Sequence, residues 1–596
     1  MSEPFEDSRR LTGCNFYFSS TGAALETARG QSFDDNTLAL WRDSVASARR
    51  ALGWPETEAL VRKHRSGASL AFVAPSDQLY VATEINEWAW WSAVAFPGGR
   101  SEEQGVLHAP GHAAIWDADL ALRTLKAVAC AEANPALVAL LRAANARALP
   151  FLPDDDAVSI GAGEGSRSWP VAALPAPLQA DWSALHAIPT ALVTGSNGKT
   201  TTVRLLAAMT RAHGWHTAHS CTDGVFFDGD SLESGDFSGP TGTRTALRHL
   251  RAQAAILETA RGGLLRRGLA LCHADVAIVT NVSADHFGEY GIHDLDDLAA
   301  VKLTIARAIG ADGLLVLNAD DPVLVHRAQA LSCPIGWSAL DFDLATLAAH
   351  RQSGGSTCGV RAGRLLLSRD GAVQDLGEIA TMPLTLSARA AYNIANIAAA
   401  ALAAPALGIA PATIATVRSR FGAAAHDNPG RLQHWCFGGL QVYLDYAHNP
   451  EGLHGFLQAI GARGRNGRLA ILLGQAGNRE DDDLRAVAAV AAAFAPELVV
   501  LKDIGGYERG RASGEVAAIM QAQLRAAGLP QDAIETQLDE VAAARRPLQW
   551  ARDGDLVALP VHELAARTEI VALLDTLQLQ HWKPGTPLPG REGAGE

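Results

Sequence analysis

Apolar residues along this chain fall into short runs separated by alanine-rich stretches. The run at 191–193 (Ala-Leu-Val) ends as a buried strand does, and 201–213 places Leu205, Leu206 and Met209 on one side of a helix. The alternation continues to about residue 425 and predicts strands over 191–194, 255–258, 276–280 and 313–317. A loop at 422–430, containing Asn428-Pro429-Gly430, leads into a second alternating block with strands expected over 441–444, 469–473, 498–501 and 556–559. Strands alternating with helices in this way predict mostly parallel sheets covered on both faces. The first 185 residues read differently. They hold most of the tryptophans, including Trp88, Trp90 and Trp91, and end in a stretch at 150–187 rich in Pro, Gly, Ser and Ala that reads as a linker. The tail after Trp582 is expected to be disordered.

At 596 residues the chain exceeds one hydrophobic core. The pattern predicts an α/β protein of three domains: an α+β domain over 1–185, an α/β domain with a mostly parallel sheet over 186–428, and a Rossmann-like α/β domain over 429–596. A net charge of −14 argues against a general nucleic-acid binder, which needs a positive surface to displace counterions. No apolar run is long enough to span a bilayer, and MSEPFEDSRR lacks the basic and apolar regions of a secretory signal. Seven scattered cysteines form no CxxC or zinc-like spacing, which suits a reducing cytoplasm. A cytoplasmic protein without nucleic-acid or membrane partners is expected, and a homo-oligomer is compatible with everything above.

The stretch Thr194-Gly-Ser-Asn-Gly-Lys-Thr-Thr-Thr202 carries chemistry. A glycine turn between strand and helix, here at Gly195, Ser196, Asn197 and Gly198, gathers backbone N–H groups at the positive end of a helix and so makes an anion site. Lys199 adds a mobile charge for terminal phosphates, and Thr200 offers a hydroxyl to Mg²⁺, with Thr201 beside it. The strict Walker pattern would place glycine at 193, where Val193 stands, so the match is to the shorter GxxGK[ST] form. His216 and His219 read as surface residues isolated from acidic partners. Asp154–Asp156 and Asp481–Asp483 read as solvated turns or a helix N-terminus, and the tryptophan cluster reads as core.

Further marks follow in order: Glu258 at a strand end, Thr280-Asn-Val-Ser-Ala-Asp-His286, Lys302 in a helix, Leu317-Asn-Ala-Asp-Asp-Pro322, Tyr392-Asn-Ile-Ala-Asn396, Gly430-Arg431 and Asp445-Tyr-Ala-His-Asn-Pro450. With the phosphate loop, their order and spacing resemble the Mur ligase superfamily, ATP-dependent enzymes that join an amino acid to a carboxylate. Cys221-Thr-Asp-Gly224, Gly235-Asp-Phe-Ser-Gly-Pro240, Glu258-Thr-Ala-Arg-Gly-Gly-Leu-Leu-Arg266 and Arg509-Gly-Arg-Ala-Ser-Gly-Glu515 are similar to the ligase half of the cyanophycin synthetase branch. That branch also carries an ATP-grasp domain. The 185 residues ahead of the phosphate loop are too few to hold it beside an N-terminal domain, so a complete polymer synthetase is not expected.

The resemblance implies ATP and Mg²⁺ as cofactors, an amino acid and a carboxylate acceptor as partners, and an acyl-phosphate route that releases ADP and phosphate. It assigns catalysis to Lys199, Glu258, His286 and Lys302, and the metal to Thr200, Glu258, His286 and Lys302, the lysine as a carbamate. It puts Asn393, Asn396, Arg431 and Asp445 at the nucleotide, with Tyr392 standing where the family has histidine. Thr222, Asp223, Arg261, His448, Asn449, Arg509, Arg511 and Glu515 are assigned to substrate. The central domain is then the ATP-binding P-loop domain, and 1–185 the acceptor-binding domain. Arginine added to an aspartate-containing acceptor is the first functional expectation. A ligase acting on a small-molecule acceptor, with a pocket in the tryptophan-rich domain, is the second, and a non-catalytic partner of a full-length cyanophycin synthetase the third.

Overall fold

The computed structural model describes residues 3–95, 104–107, 114–285 and 287–590, and counts, partners and absences below refer to those residues. An antiparallel sheet opens the chain, in the order Phe5–Leu11, Gly22–Thr27, Gly67–Val73, Leu60–His64. The helix Leu79–Ala95 packs on it, with Asp35–Leu52 and Ala118–Glu132 against that helix. Trp41, Trp88 and Trp90 are each fully buried there. Trp41 donates its indole N–H to Asn86 at 2.9 Å and Trp90 donates to the Pro4 carbonyl at 2.8 Å, so their polar edges are satisfied inside the core. Any acceptor surface on this block is built from other residues.

The stretch at 150–187 is folded rather than a bare linker. Phe151–Pro153, Ala157–Ile160 and Arg167–Pro170 form a three-stranded antiparallel sheet. Its small residues serve close approach: a Cβ on Gly163 would lie 2.1 Å from the Ala252 carbonyl oxygen. Asp154–Asp156 do form a turn with Asp155 and Asp156 exposed, and Asp154, which accepts from the Ala157 amide at 2.7 Å, is also paired with Arg248, itself donating to the Leu152 carbonyl at 2.8 Å.

The central sheet has eleven strands. Thr190–Thr194 lies in its middle, parallel to Ala254–Glu258 on one side and Ala274–Val279 on the other, and is buried along its whole length. Continuous apolar strands of this kind are what a sheet covered on both faces requires. Parallel order continues outward through Thr217–Cys221 at one flank and Ile309–Asn318 at the other. The sheet then ends in antiparallel hairpins, Gly224–Phe227 with Asp230–Ser234, and Arg364–Arg369 with Ala372–Glu378. The outer strands of these hairpins, Asp230–Ser234 and Ala372–Glu378, are broken by polar residues and mostly exposed, and the hairpins were not expected. The last block is a six-stranded sheet in which Leu440–Asp445, Leu556–Pro560, Leu469–Leu473, Leu498–Leu501 and Ile534–Thr536 run parallel, with Gln433–Phe437 antiparallel at one edge. Mixed α/β architecture with parallel sheets in the central and C-terminal regions is as the alternation predicts.

Three smaller expectations fail for stated reasons. His219 lies on the buried strand Thr217–Cys221, stacked on Phe226 at 4.8 Å, and burial together with the charges of Arg204 and Arg211 pushes its imidazole down to about 3. His216 does have an acidic partner, Asp228, at 2.6 Å. Part of the tail is packed: Trp582 donates to the Thr586 carbonyl at 3.2 Å, and Leu588 rests against the C-terminal core. Asp481–Asp483 do begin a helix, Asp481–Ala492. No single helix is long and apolar enough to cross a membrane.

The N-terminal sheet seats directly on the central block. The Thr12 amide donates to Arg267 at 2.9 Å and the Leu269 amide donates to Cys14 at 2.7 Å. Chains approach so closely there that a Cβ on Gly13 would stand 2.1 Å from the Leu269 oxygen. Arg62 reaches Asp297 at 2.6 Å, and Arg29 donates to the Gly288 carbonyl at 2.8 Å.

Candidate active site between the central and C-terminal sheets

The phosphate loop follows the central strand, as open α/β sheets place their sites beyond strand C-termini. Its shape demands glycine twice. Gly195 has φ +148 and a Cβ there would collide with Thr280 Oγ1 at 1.8 Å; Gly198 has φ +85 and a Cβ would meet Asn396 Oδ1 at 2.2 Å. The 280–283 segment braces the turn. The Ser196 amide donates to the Asn281 carbonyl and the Asn197 amide to Asn281 Oδ1, both at 2.9 Å, while Thr280 Oγ1 donates to the Asn197 carbonyl at 2.6 Å. The helix Lys199–His213 then begins with its first N–H groups facing the turn. Lys199 folds back over it, donating to the Ser196 carbonyl at 3.1 Å.

Glu258 is fully buried behind this loop. Its carboxylate accepts from Thr200 Oγ1 at 2.8 Å and Thr222 Oγ1 at 2.9 Å, and forms no ion pair. Arg261 pairs with Glu289 instead. A buried anion held by two hydroxyls without a cation fits a divalent ion, and magnesium accepts few protein ligands when phosphates and water supply the rest. No group of three or more His, Cys, Asp or Glu side chains forms a protein-only metal cluster. His286 lies outside the described residues. Its neighbour Asp285 pairs with Arg479 at 2.7 Å and stands 3.7 Å from His448. Lys302 ends the helix Leu295–Lys302, 2% exposed, and burial plus the charge of Lys199 push its pKa well below the usual lysine value.

A cleft of about 490 Å³ opens from this loop toward the C-terminal block, with Tyr392, Arg431 and Asp445 among its walls. The Arg431 guanidinium lies 4.3 Å from the centre of the Tyr446 ring. Asp445 accepts from the Leu432 amide at 2.8 Å; burial pushes its pKa up, opposed by Arg431. Asn396 packs under Gly198 and donates to Asn393 at 3.2 Å, while Asn393 donates to the Leu384 carbonyl at 2.9 Å. Thr201 accepts from Asn428 at 3.2 Å.

The substrate residues divide. Thr222 lines the cleft with His448, and Asn449 donates to Asn197 Oδ1 at 2.9 Å while capping the helix Pro450–Ala459. Asp223 is engaged by arginines from both blocks: Arg204 at 2.6 Å, Arg567 in direct contact and Arg431 at 3.9 Å. Burial would raise its pKa, but those three charges hold the carboxyl well below the usual carboxylate range. Arg511 reaches Glu515 at 2.9 Å and Asp481 at 2.8 Å, bracing the 477–481 loop, and Arg509 lies exposed beside Tyr507. None of these last three lines the cleft.

Sequence reasoning missed a buried chain behind the 445–449 loop. Lys502, 0% exposed, contacts Glu540 and donates to His562 Nδ1 at 3.0 Å. That leaves His562 Nε2–H to donate to the Ala447 carbonyl at 3.1 Å. Burial and the Lys502 charge push the imidazole well below its ordinary pKa, keeping it neutral. A signal was available: Lys502 and His562 each follow a predicted parallel strand, where functional side chains gather.

Comparison with known proteins adds a family. Residues 193–404 match the Mur ligase middle domain, and 430–559 match the Mur ligase glutamate ligase domain. A cyanophycin synthetase of Synechocystis sp. is 32% identical over 386 residues, covering 64% of this chain but 43% of that protein, so the chain spans less than half the length of that relative. A UDP-N-acetylmuramoyl-L-alanyl-D-glutamate–2,6-diaminopimelate ligase of Xanthomonas oryzae pv. oryzae is 31% identical over 386 residues, covering 63% of this chain and 72% of that enzyme. Among solved structures, E. coli FolC in complex with DHPP and ADP aligns with a TM-score of 0.47 at 16% identity, over 65% of this chain and 89% of that one.

Proposed function

The chain belongs to the Mur ligase family of ATP-dependent amide ligases, and on that footing we propose that it joins the amine of an amino acid to an acceptor carboxylate through an acyl phosphate. Arginine added to an aspartate-containing acceptor is the specific pairing. The observation that carries the ligase reading is the buried, cation-free carboxylate of Glu258 joined to Thr200 at the head of a glycine-shaped anion loop.

Amide formation from a free carboxylate is uphill in water, so the carboxylate is activated first. One of its oxygens attacks the γ-phosphorus of ATP, the bond to the β–γ bridging oxygen breaks and ADP departs. The amine then attacks the acyl carbon, phosphate leaves and the nitrogen loses a proton. The chain's work is positioning and charge neutralisation. Loop N–H groups and Lys199 hold the phosphates from the central block and Arg431 from the C-terminal block, while Asp445 takes the ribose side. Asn393 and Asn396 keep the loop in shape, and Thr222 and His448 face the substrates. Magnesium, held by Thr200, Glu258, His286 and carbamylated Lys302, would neutralise charge on the β- and γ-oxygens. The low pKa of Lys302 supports the carbamate, since the neutral amine is the form that adds CO₂ and then loses a proton. A carbamate resonance from ¹³C-bicarbonate, absent in Lys302→Met, checks this. Blocks 1–185, 186–428 and 429–596 serve as acceptor, ATP and closing domains on this reading.

The deciding experiment supplies ATP, Mg²⁺, single amino acids and a panel of aspartate-containing acceptors, follows phosphate release and identifies the product by mass spectrometry. ADP plus phosphate is expected. AMP plus pyrophosphate overturns the acyl-phosphate route, and a Lys199→Ala variant that keeps its turnover overturns the phosphate-loop assignment.

A further inference from the structure

Thr222 and Asp223 are neighbours on the turn between the strands Thr217–Cys221 and Gly224–Phe227. Thr222 donates to the Glu258 carboxylate at 2.9 Å, while Asp223 gathers arginines from both blocks. One turn thus ties the buried carboxylate to an arginine cluster. The three arginines are not equivalent. Arg204 is a clamp: Nη2 donates to Asp223 Oδ2 at 2.6 Å and Nη1 to the Pro429 carbonyl at 2.8 Å, where the chain crosses into the C-terminal block. Arg567 contacts the other carboxylate oxygen and lies against Gly430, where a Cβ would stand 2.5 Å from Arg567 Cδ. Arg431 donates to the Gly430 carbonyl at 3.1 Å and alone of the trio lines the cleft. It stands 3.9 Å from Asp223, too far for a hydrogen bond, so it has none to that carboxylate to break before meeting a ligand. Burial works against the Arg431 charge, and Asp223 is foremost among the groups that offset it, ahead of Tyr446, Asp445 and Glu258.

We propose that Asp223 is a positioning residue that aims Arg431 at the transferring phosphoryl group, and not a group that touches substrate. This rests on the ATP reading above. Both Asp223 oxygens are engaged by arginines, which gives the carboxylate a holding part. Three guanidiniums around one carboxylate leave positive charge in excess. At Arg431 that excess reaches the cleft, where a triphosphate brings negative charge. Arg431 and Arg567 both come from the C-terminal block, so the aim is set only while that block is seated. Full neutralisation of the phosphates is thereby held back until the site is shut.

The test follows phosphate release by the full chain with ATP and the amino acid and acceptor that the wild type turns over, for Asp223→Asn, Arg431→Met and the two combined. Asp223→Asn is expected to lose roughly a hundredfold in kcat, while KM for ATP, amino acid and acceptor stays within about threefold. Arg431→Met should lose as much and the combination no more, because the two act as one unit. Asp223→Asn also leaves three guanidiniums without their shared carboxylate and should melt lower. Adding Arg567→Met should restore the melting temperature but not kcat. Losses that multiply in the combination overturn the inference, and so does a kcat that returns with the melting temperature. A raised amino-acid or acceptor KM at unchanged kcat overturns it too, and makes Asp223 a substrate group. Wild type that turns over no pair brings down the ligase reading and this inference with it, whereas full turnover by Asp223→Asn sinks this inference alone.

Discussion

Lys302 and Lys502 are both buried, at 2% and 0% exposure, one in the central block and one in the C-terminal block, and burial lowers the pKa of each. Their surroundings differ. Lys502 contacts Glu540 and donates to His562, a chain closed within the protein. Lys302 forms no ion pair within 4 Å among the described residues and is faced by the positive charges of Lys199 and Arg261, with Asp285 in partial opposition. A buried charge matched by protein groups holds structure. A buried amine with cations around it is poised for chemistry, because the fold disfavours its protonated form.

Substitution of the two lysines separates these roles. Lys502→Met strands the Glu540 carboxylate and should cost about 3–5 kcal/mol of stability, seen as a lower denaturation midpoint, with most of it recovered in Lys502→Met/Glu540→Gln. Lys302→Met should melt no lower than wild type yet lose roughly a hundredfold in turnover. If both variants lose stability alike, the distinction fails.

pH sharpens the contrast. The folded-state pKa of Lys302 is depressed, so the unfolded chain binds more protons and stability should rise with pH below the free lysine value of about 10.4; Lys302→Met should flatten that rise. Asp223 is the mirror case. Its folded pKa is also lowered, so its contribution is present above the free aspartate value of about 3.9 and is lost as pH falls from there toward the folded value. Melting temperature between pH 5 and 3 should fall more steeply for wild type than for Asp223→Asn. The smallest effect belongs to His562. Glutamine can still donate to the Ala447 carbonyl and asparagine cannot reach it, so His562→Asn should raise substrate KM about fivefold while His562→Gln stays near wild type.

The parts that were legible from sequence are those written in neighbouring residues. Gly195, Gly198, Lys199 and Thr200 sit within six positions, and the strand before them is a continuous apolar run. Glu258 was visible because it ends another such run. What escaped depends on partners far along the chain. Asp223 reads from sequence as a substrate residue, and nothing near it in sequence announces its contact with Arg567, 344 positions away. Lys502, Glu540 and His562 carry no shared motif and meet only through sheet order. The 150–187 segment has a linker's composition, but its prolines and glycines serve strand ends and close backbone contacts that composition does not reveal.

One consequence follows from the way the 280–283 segment is laced to the phosphate loop. Hydrogen bonds at 2.6 and 2.9 Å tie the two pieces together, so they form an anvil that does not yield. Travel for admitting and releasing reactants then falls on the C-terminal jaw. Asn449–Asn197, Arg567–Asp223 and Arg479–Asp285 are the polar contacts that such travel has to break, the last two between side chains less than a tenth exposed.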